Sequence, residues 1–533
     1  MTTVYLYDTT LRDGVQREGL SFSAEDKLKI LLKLDELGVH FVEGGWPGSN
    51  PRDEEFFQKA SRCKLQNSTL ASFGATRRPN SRAEDDPNLL AMVKAGAPVA
   101  TLVGKSWDIH ATQVLETTPE ENLSMIADSV AFLKGRGLRV FFDAEHFFDG
   151  FKANPVYALK TLEAAAGAGA EWVVLCDTNG GSMPHEIVEA VDSTLKALSI
   201  PVGIHTHNDA ELAVANTLVA VNAGASQVQG TINGYGERCG NANLCAVIPN
   251  LKLKMGIDCV GQGQLGRLTE VSRFVSELAN IVPDAHMPYV GASAFAHKAG
   301  LHVSALMKLE ESYQHLDPSL VGNQKRVLVS ELSGKSNIVY KLQEKGLELP
   351  QGRRAQDVLQ RIKTLENMGF QFDGAEASFE LLVHRAHPEY RPPFELVDFM
   401  VVVEHRRRPS QKGRGELLAE AMVKVKVGGE VVHTAAEGNG PVNALDQALR
   451  KALVPAYPQV ANIKLVDYKV RILDESSGTA SSIRVLVESS DGPDQWRTVG
   501  SSTNIIDASW LALVDSLEYH LWKKGVPGAF GER

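Results

Sequence analysis

The sequence predicts an α/β fold, a (β/α)8 barrel, followed by a helical subdomain and a smaller α+β domain. Two observations predict the barrel: short apolar runs alternate with segments of helical period over about 250 residues, and polar residues of catalytic type follow several of the runs. Period-two alternation resumes near residue 375 and predicts the C-terminal domain. We therefore divide the 533 residues into a barrel (1–265), a helical linker (266–374) and a C-terminal domain (375–533).

Eight apolar runs are the predicted barrel strands. They are Val4–Tyr7, Val39–Glu43, Leu70–Phe73, Val99–Val103, Arg139–Phe142, Trp172–Cys176, Val202–His205 and Gln227–Thr231. Between them, stretches such as Ala24–Leu37, Pro119–Lys134 and Asn154–Ala168 carry the helical period. Units of this number and spacing are what a closed parallel barrel requires, and the C-terminal ends of its strands form its catalytic face.

Beyond the barrel, Gly261–Gly369 is predicted to be mainly helical, with His297 and His302 in the segment Ala294–Leu309. Strands are then predicted at Ser378–Arg385, Leu396–His405, Glu416–Val427, Lys464–Leu473, Ser482–Glu488 and Trp496–Ser502. Asn443–Asp446 and Asn504–Asp507 each open a helix, 61 residues apart, which predicts two βββα repeats. Neither repeat contains a cluster of catalytic residue types, so a binding or regulatory module is favoured.

Composition and charge argue against several classes of function. The chain has a normal globular composition, and its net charge of −10 argues against a nucleic-acid-binding surface, the basic run Arg406–Arg408 being more simply a solvated loop. No apolar stretch reaches the roughly 20 residues that span a bilayer, and the N-terminus enters a strand without a leader. We therefore expect a cytoplasmic protein without membrane contact. The five cysteines lack zinc-site spacing and are expected to be reduced thiols, with Cys239 notable inside a site motif.

His205 and His207 form a pair of metal ligands at the end of the seventh predicted strand. Successive side chains of a strand alternate between its faces, so both imidazoles project to one side. Asp13, after the first strand, supplies an oxygen ligand, and Arg12 beside it a fixed positive charge. Alone, Asp13 is more simply a turn cap and the histidines a surface or core pair; together they predict a divalent metal at the barrel mouth.

Further polar residues follow other predicted strands. Glu43 ends the second strand, Glu145 follows the fifth, and Asp177 and Thr178 follow the sixth. All of them fall on the face where barrels of this kind carry their catalytic residues.

Three motifs resemble those of the 2-isopropylmalate, homocitrate and citramalate synthase family of metal-dependent barrel enzymes. They are Leu11-Arg12-Asp13-Gly14-Val15-Gln16 with Lys27 beyond it, His205-Thr206-His207-Asn208-Asp209, and Gly236-Glu237-Arg238-Cys239-Gly240-Asn241. The repeated C-terminal domain resembles that family's effector-binding domain, so the resemblance covers essentially the whole chain. The segment Asp13–Gly19 is more similar to the long citramalate synthases than to the isopropylmalate branch. Glu211 stands where the general pattern has glycine, which bears on the subfamily more than on activity.

The resemblance implies a condensation of acetyl-CoA with an α-keto acid that chelates a divalent cation. Asp13, His205, His207 and Asn241 are the expected protein ligands, with Asn243 as the alternative to Asn241. Mixed nitrogen and oxygen ligands suit Mn, Mg, Zn or Co alike. The cation polarises the ketone for attack.

The resemblance also implies roles for residues around the metal. Arg12 is expected to stabilise oxyanion charge, and Gln16 and Thr178 to bind the keto acid, although Thr178 is alternatively only a β-branched strand end. Glu145 is expected to orient or deprotonate the acetyl group, with a buried structural carboxylate as the alternative.

A histidine and a tyrosine from the partner subunit of a homodimer are implied as well. His302 and Tyr313 match them best. His297 competes with His302, and Tyr313 is as easily explained by packing.

Two activities of this class stay open. One condenses pyruvate with acetyl-CoA and water to citramalate and CoA, toward isoleucine; the other uses 3-methyl-2-oxobutanoate, toward leucine. Phe73, Val103 and Asp143 are candidate pocket residues and do not decide between them. A catalytically inactive amino-acid-sensing protein that keeps the barrel as a scaffold is disfavoured, because Arg12, Asp13, His205 and His207 are all present. A lyase running the reverse cleavage normally lacks the repeated domain.

The C-terminal repeat is expected to bind an end-product amino acid, isoleucine. Helix N-termini at Gly440–Asn443 and Thr503–Asn504 offer backbone N–H groups to its carboxylate. A dimerisation or stability domain is the alternative.

Overall fold

The computed structural model of the chain describes residues 3–297, 305, 309, 313–327, 353–372, 374–387, 390–405, 417–473 and 481–526. The chain forms two compact units: Met1–Phe295 with Leu316–Lys325, and Ala296–His315 with Arg326–Arg533. His302 and the basic run Arg406–Arg408 lie outside the described residues. Within the described residues, no helix combines the length and the apolar character needed to cross a membrane.

The first unit contains a closed barrel of eight parallel strands, hydrogen-bonded in sequence order. The strands are β1 (Tyr5–Asp8), β2 (Phe41–Gly45), β3 (Thr69–Ala75), β4 (Val99–Lys105), β5 (Arg139–Glu145), β6 (Trp172–Asp177), β7 (Val202–Thr206) and β8 (Gln227–Gly230). β8 pairs with β1, with Tyr5 opposite Gln227, and so closes the ring. All eight predicted strands are confirmed.

Helices follow the strands along the chain. They are α1 (Ala24–Leu37), α2 (Pro51–Ala60), α3 (Pro87–Lys94), α4 (Pro119–Gly135), α5 (Phe147–Ala153), α6 (Pro155–Gly167), α7 (Pro184–Ala197), α8 (Ala213–Asn222), α9 (Leu244–Pro249), α10 (Gln262–Leu265) and α11 (Leu268–Leu278). Ser23 and Asp26 form a reciprocal capping box at the start of α1. Proline opens α2, α3, α4, α6 and α7, at a position where no intrahelical N–H is needed.

Aromatic side chains fill part of the barrel interior. Tyr7, Phe41, Phe141 and Trp172 form a buried cluster, with Phe141 edge-to-face against Phe41 and Trp172 at 5.1 and 5.2 Å. The Tyr7 hydroxyl also contacts the carboxylate of Glu43 at 2.8 Å. These aromatic side chains therefore pack the barrel interior, and polar side chains such as Glu43 lie beside them toward the C-terminal ends of the strands.

The stretch Gly261–Gly369 is only partly helical within the described residues. α10, α11 and α12 (Arg353–Asn367) are helices, whereas residues 280–295 contain turns and no helix. In the second unit β9 (Ala296–His297) pairs in parallel with β10 (Arg326–Val327).

The strand predicted at Ser378–Arg385 is wrong, because Glu376–Arg385 forms a helix, α13. Phe379, Leu381 and Val383 alternate with other residues as in a strand, yet Ser378 and Glu380, on either side of Phe379, are buried too. A short run buried on most sides does not distinguish a helix from a strand by its period.

Two three-stranded antiparallel sheets, each followed by a helix, form the C-terminal part of the second unit. The first copy is β11 (Phe394–His405), β12 (Leu417–Val427), β13 (Glu430–Gly438) and α14 (Pro441–Leu453). The second copy is β14 (Lys464–Ile472), β15 (Ile483–Ser490), β16 (Gln495–Ser502) and α15 (Ile505–Lys523). The prediction of two βββα repeats is confirmed.

The strand β13 (Glu430–Gly438) is not among the six C-terminal strands predicted from the sequence. Gly428 and Gly429, with φ of 59° and 90°, make a two-residue turn, across which Val427 pairs with Glu430. Such a glycine pair is a hairpin signal. The strand β13 that follows this turn is the third strand of the first copy, in place of the strand wrongly predicted at Ser378–Arg385.

The two copies are related by 64 residues and not by the predicted 61. Thr434 Oγ1 donates to Ala448 O, and Thr498 Oγ1 donates to Ala512 O, both at 2.7 Å. Asn504 is the N-cap of α15, whereas Asn443 lies inside the first turn of α14. The asparagine motif therefore aligned the two helices about one turn out of register.

Candidate active site

The turn after β1 fixes Arg12 and Asp13 at the C-terminal end of the barrel. The N–H groups of both residues donate to Thr9 O, and the buried Asp8 carboxylate accepts from the Thr10 N–H and hydroxyl at 2.9 and 2.8 Å. Asp13 occupies the N-cap position of a short 3-10 helix, but its side chain makes no capping hydrogen bond. The turn-cap alternative for this carboxylate is therefore wrong.

The side chains of His205 and His207 converge on Asp13. Their Nε2 atoms lie 3.4 and 3.9 Å from Asp13 Oδ2. One potential ligand atom from each of the three residues lies within 4.8 Å of the other two, and all three residues are buried. Burial excludes the surface alternative for the histidine pair.

Asn241 completes the cluster from the loop after β8. A backbone bridge pairs it with His207, and its Nδ2 donates to Asp13 Oδ2 at 3.0 Å and lies 3.3 Å from His205 Nε2. Gly236 must be glycine here, because its φ is +158° and an added Cβ would lie 1.8 Å from Asn241 Oδ1. Asn243, the alternative ligand, instead caps α9 by accepting from Cys245 N at 2.9 Å.

The donor set fits a divalent cation. Asp13 Oδ1 and Asn241 Oδ1 are buried and lack a hydrogen-bond partner within the described part of the chain. Each unpaired buried acceptor costs about 1–3 kcal/mol, a cost that a bound cation removes. A half-turn of the Asn241 amide would also exchange its nitrogen for its oxygen beside His205. A carboxylate, two imidazoles and an amide are ligand types that divalent metals accept.

The electrostatics of the cluster favour the ligating forms of Asp13 and His207. Burial, together with charge on His205, lowers the pKa of His207 to about 4, so this imidazole is neutral near pH 7. Burial would raise the pKa of Asp13, but Arg12 and His205 outweigh it and hold that pKa well below its usual range. Burial would lower the pKa of His205, but Asp13 outweighs it and raises the value. The cluster thus presents an anion beside imidazoles.

Arg12 is held rigidly beside the cluster. Its Nε donates to Glu43 Oε1 at 2.5 Å, its Nη1 lies 3.4 Å from Asp13 Oδ2, and its Cζ stacks 3.8 Å from the centroid of Phe73. Burial alone would lower the pKa of Arg12, but the carboxylates of Glu43 and Asp13 raise it above its ordinary value. The guanidinium is therefore a permanent, oriented positive charge.

Glu145 and Thr178 stand at the ends of neighbouring strands. The Glu145 side chain is 25% exposed and pairs with Lys105, so the alternative of a buried structural carboxylate is wrong. Thr178 Oγ1 accepts from the backbone N–H of His146 at 2.9 Å, which leaves the hydroxyl proton to donate elsewhere.

One cavity of about 430 Å³ unites most of the predicted site residues. Its lining includes Arg12, Asp13, Gln16, Glu145, Thr178, His205 and His207, together with the pocket candidates Phe73, Val103 and Asp143. Asn241 contacts Asp13 and His205 without being part of this lining. His302 lies outside the described residues, while His297 and Tyr313 belong to the second unit, where Tyr313 is 43% exposed.

Three side chains that contact the predicted site residues are not predicted from the sequence. Lys105 pairs with Glu145, Arg238 Nη2 lies 3.3 Å from His207 Nδ1, and Gln229 Oε1 lies 2.9 Å from His205 Nδ1. Lys105 is the last residue of β4, so the rule that strand ends carry the site could have found it. Arg238 belongs to a recognised motif, whereas nothing in the local sequence marks Gln229.

Comparison with known proteins identifies the family. Residues 3–275 match the HMGL-like family, residues 289–369 the homocitrate synthase post-HMGL domain-like family, and residues 373–521 the LeuA allosteric (dimerisation) domain. The chain is 56% identical to the (R)-citramalate synthase of Geobacter sulfurreducens and 52% identical to that of Aquifex aeolicus, over 98% of both chains in each case. It is 31% identical to the 2-isopropylmalate synthase of Methanocaldococcus jannaschii, over 98% of this chain and 95% of that one. The chain therefore belongs to the (R)-citramalate synthase family of HMGL-like barrel enzymes.

Proposed function

We propose that the protein condenses pyruvate with acetyl-CoA and water to (R)-citramalate and CoA. The enzyme class, an acyltransferase that forms a carbon–carbon bond, follows from its family. The observation that carries the proposal is the buried Asp13, His205 and His207 cluster beside a fixed Arg12 in one cavity. The identity of 56% and 52% to two (R)-citramalate synthases supports pyruvate as the keto acid.

The proposed binding of pyruvate uses the cluster and the strand ends around it. A divalent cation (Mn, Mg, Zn or Co), held by Asp13, His205, His207 and Asn241, supplies polarisation of the ketone. The Thr178 hydroxyl accepts one hydrogen bond from the His146 N–H and donates its proton to the pyruvate carboxylate. Gln16, exposed on the cavity lining, adds a side-chain amide for the same substrate.

The carbon–carbon bond forms at the acetyl methyl group. That methyl loses a proton to a base, its carbon attacks the ketone carbon, and the ketone oxygen gains the electron pair and then a proton. Arg12 donates hydrogen bonds to this oxygen as its charge develops, because Glu43 and Phe73 hold the guanidinium in place. Water then cleaves the thioester and releases the CoA thiol.

Glu145 is the proposed catalytic carboxylate toward the acetyl group. It lines the cavity and is partly exposed, so it can reach a bound thioester, and its ion pair with Lys105 orients it. His302 and Tyr313 of the partner subunit are proposed to assist the proton transfer, on the family resemblance alone.

Pyruvate is preferred over 3-methyl-2-oxobutanoate in this proposal. Phe73 is fixed between the Arg12 guanidinium and the edge of Trp46, whose ring centroid lies 5.4 Å away, so this wall does not yield easily to a branched side chain. Val103 and the carboxylate of Asp143 line the same cavity. Each extra methylene in an apolar pocket changes specificity by about 10–200-fold, so a rigid pocket wall is sufficient to favour pyruvate over the larger keto acid.

The C-terminal repeats are proposed to form the homodimer and to bind isoleucine as an inhibitor. The match of residues 373–521 to an allosteric (dimerisation) domain supports this, as does the presence of two βββα copies. The five cysteines, all free in the structure, suit a cytoplasmic enzyme.

A thiol-release assay with a panel of keto acids tests the proposal. We expect kcat/KM for pyruvate to exceed that for 3-methyl-2-oxobutanoate by at least about 10-fold. A reversed order would assign the protein to leucine biosynthesis instead. Absence of acetyl-CoA-dependent thiol release with every keto acid would refute the enzymatic proposal altogether.

A further inference from the structure

A buried chain of hydrogen bonds leads from His205 across the barrel interior to Asp143, a residue of the cavity lining. His205 Nδ1 lies 2.9 Å from Gln229 Oε1, and Gln229 Nε2 donates to Asp143 Oδ1 at 3.0 Å. Gln229 is fully buried, and His205 and Asp143 are 5% and 3% exposed. The three residues come from β7, β8 and β5, so the chain crosses the barrel interior.

Asp143, at the end of this series of hydrogen bonds, determines how the Gln229 amide is oriented. A carboxylate oxygen of Asp143 accepts hydrogen bonds, so it attracts the amide NH2 group and turns Oε1 toward His205. The reverse orientation would set the amide oxygen against the Asp143 oxygen in a buried place, where a lost hydrogen bond is costly. Gln227 Oε1 makes a longer contact of 3.4 Å with the same nitrogen.

The orientation of the amide in turn decides the tautomer of His205. An amide oxygen only accepts, so the neutral imidazole must carry its proton on Nδ1. Nε2, which lies 3.4 Å from Asp13 Oδ2, then holds the lone pair that a metal needs. His207 differs, because its Nδ1 lies 3.3 Å from Arg238 Nη2, a group that only donates.

We propose that Gln229, oriented by Asp143, is a positioning residue that keeps the His205 proton on Nδ1 and thereby presents Nε2 to the cation. The proposal rests on the proposed function for the identity of the bound group, a divalent cation. Loss of such a partner behind a metal-binding histidine typically weakens metal binding about 10–100-fold.

The test compares two matched variants of the full chain. Gln229→Met removes the acceptor of His205, while Gln227→Met makes the same chemical change two residues along β8, at an equally buried site without a contact to His205. Chelator-treated protein is titrated with Co²⁺ in the absence of substrates, and the visible absorption of bound cobalt reports affinity and coordination. Thermal unfolding of the metal-free variants separates loss of stability from loss of ligand positioning.

We expect Gln229→Met to bind Co²⁺ about 10–100-fold more weakly than wild type and Gln227→Met to stay within about 3-fold. The double variant Gln229→Glu with Asp143→Asn exchanges the amide and the carboxylate but still offers His205 an acceptor, so it should recover most of the affinity. Equal losses in the two methionine variants, no loss in Gln229→Met, or no recovery in the double variant would overturn the proposal.

A measurement on wild type needs no variant to fold. Nitrogen chemical shifts of histidine-labelled, metal-free protein, recorded at a pH at which the His205 ring is neutral, should show its single proton on Nδ1, with the signal assigned by its loss in His205→Gln. A neutral ring with its single proton on Nε2 would overturn the proposal. Failure of the proposed function has a different signature. Wild type would then show this tautomer and the cobalt affinities expected here, yet form no citramalate.

Discussion

Arg12→Lys is the substitution that tests most sharply how the site handles developing charge. In the structure the guanidinium is fixed by three contacts: Nε with Glu43 at 2.5 Å, Nη1 with Asp13 at 3.4 Å, and the face of Phe73 at 3.8 Å. These contacts use Nε and Nη1, so in the proposed mechanism Nη2 is the donor to the substrate oxygen. Lysine keeps the charge but has a single nitrogen on a flexible stem.

The size of the effect follows from this geometry. Glu43 is fully buried, so it will hold the lysine ammonium at the position of Arg12 Nε and away from the substrate oxygen. The developing oxyanion then loses its donor. Loss of one such donor costs about 10²–10³ in kcat, equivalent to about 2.7–4 kcal/mol. Metal content should change little, because Asp13, His205, His207 and Asn241 remain.

The assay measures CoA thiol release with saturating pyruvate and acetyl-CoA, together with metal content of the purified protein. Arg17→Lys is the matched control, since Arg17 lies on the same segment, is exposed, and also stacks on a ring, with its Cζ 5.2 Å from the Tyr235 centroid. It should keep near wild-type activity. Nearly full activity in Arg12→Lys would show that only positive charge matters, and a large loss in both variants would point to damage of the segment.

Three further predictions concern the metal, pH and the C-terminal domain. Asp13→Ala or His207→Ala should abolish turnover and lower bound metal, because each removes a ligand; activity that survives in metal-free protein would contradict this. Burial raises the pKa of Asp8 from 3.8 to about 7, so the folded state binds this proton more tightly than the unfolded state, and its contribution to stability is lost as pH rises toward about 7. Asp8→Asn should therefore be more destabilising, relative to wild type, at about pH 5 than at about pH 8, by up to about 2.6 kcal/mol in chemical denaturation, and a difference independent of pH would refute it. A chain ending at Gly374 should lose isoleucine inhibition; an active shortened chain that stays equally sensitive would rule out the C-terminal domain as the effector site.

The barrel and the ligand cluster follow from local pattern. Apolar runs of strand length, their spacing and the polar residues at their ends predict both the eight strands and the convergence of Asp13, His205 and His207. This works because parallel strands closed into a ring bring all their C-terminal ends to one face, whatever the distance along the chain.

Other features depend on contacts that local pattern does not encode. Gln229 and Asp143 lie 86 residues apart and meet only because β5 and β8 both face the barrel interior. The helix at Glu376–Arg385 has the sequence pattern of a strand, because the five consecutive residues from Ala377 to Leu381 are all buried and hide the helical period. The correct alignment of the two C-terminal copies is shown by the equivalent hydrogen bonds of Thr434 and Thr498. The similar asparagine motifs at the helix starts instead indicate an alignment that is shifted by three residues.

The central claim is that one metal-dependent site in the barrel joins pyruvate to acetyl-CoA. The most direct measurement supplies chelator-treated protein with both substrates, adds a divalent cation in equimolar amount, and quantifies citramalate and released CoA by chiral chromatography and thiol assay. The account predicts no product before the cation is added and then (R)-citramalate in equal amount to CoA. Citramalate formed without any cation, or CoA released without citramalate, would contradict it.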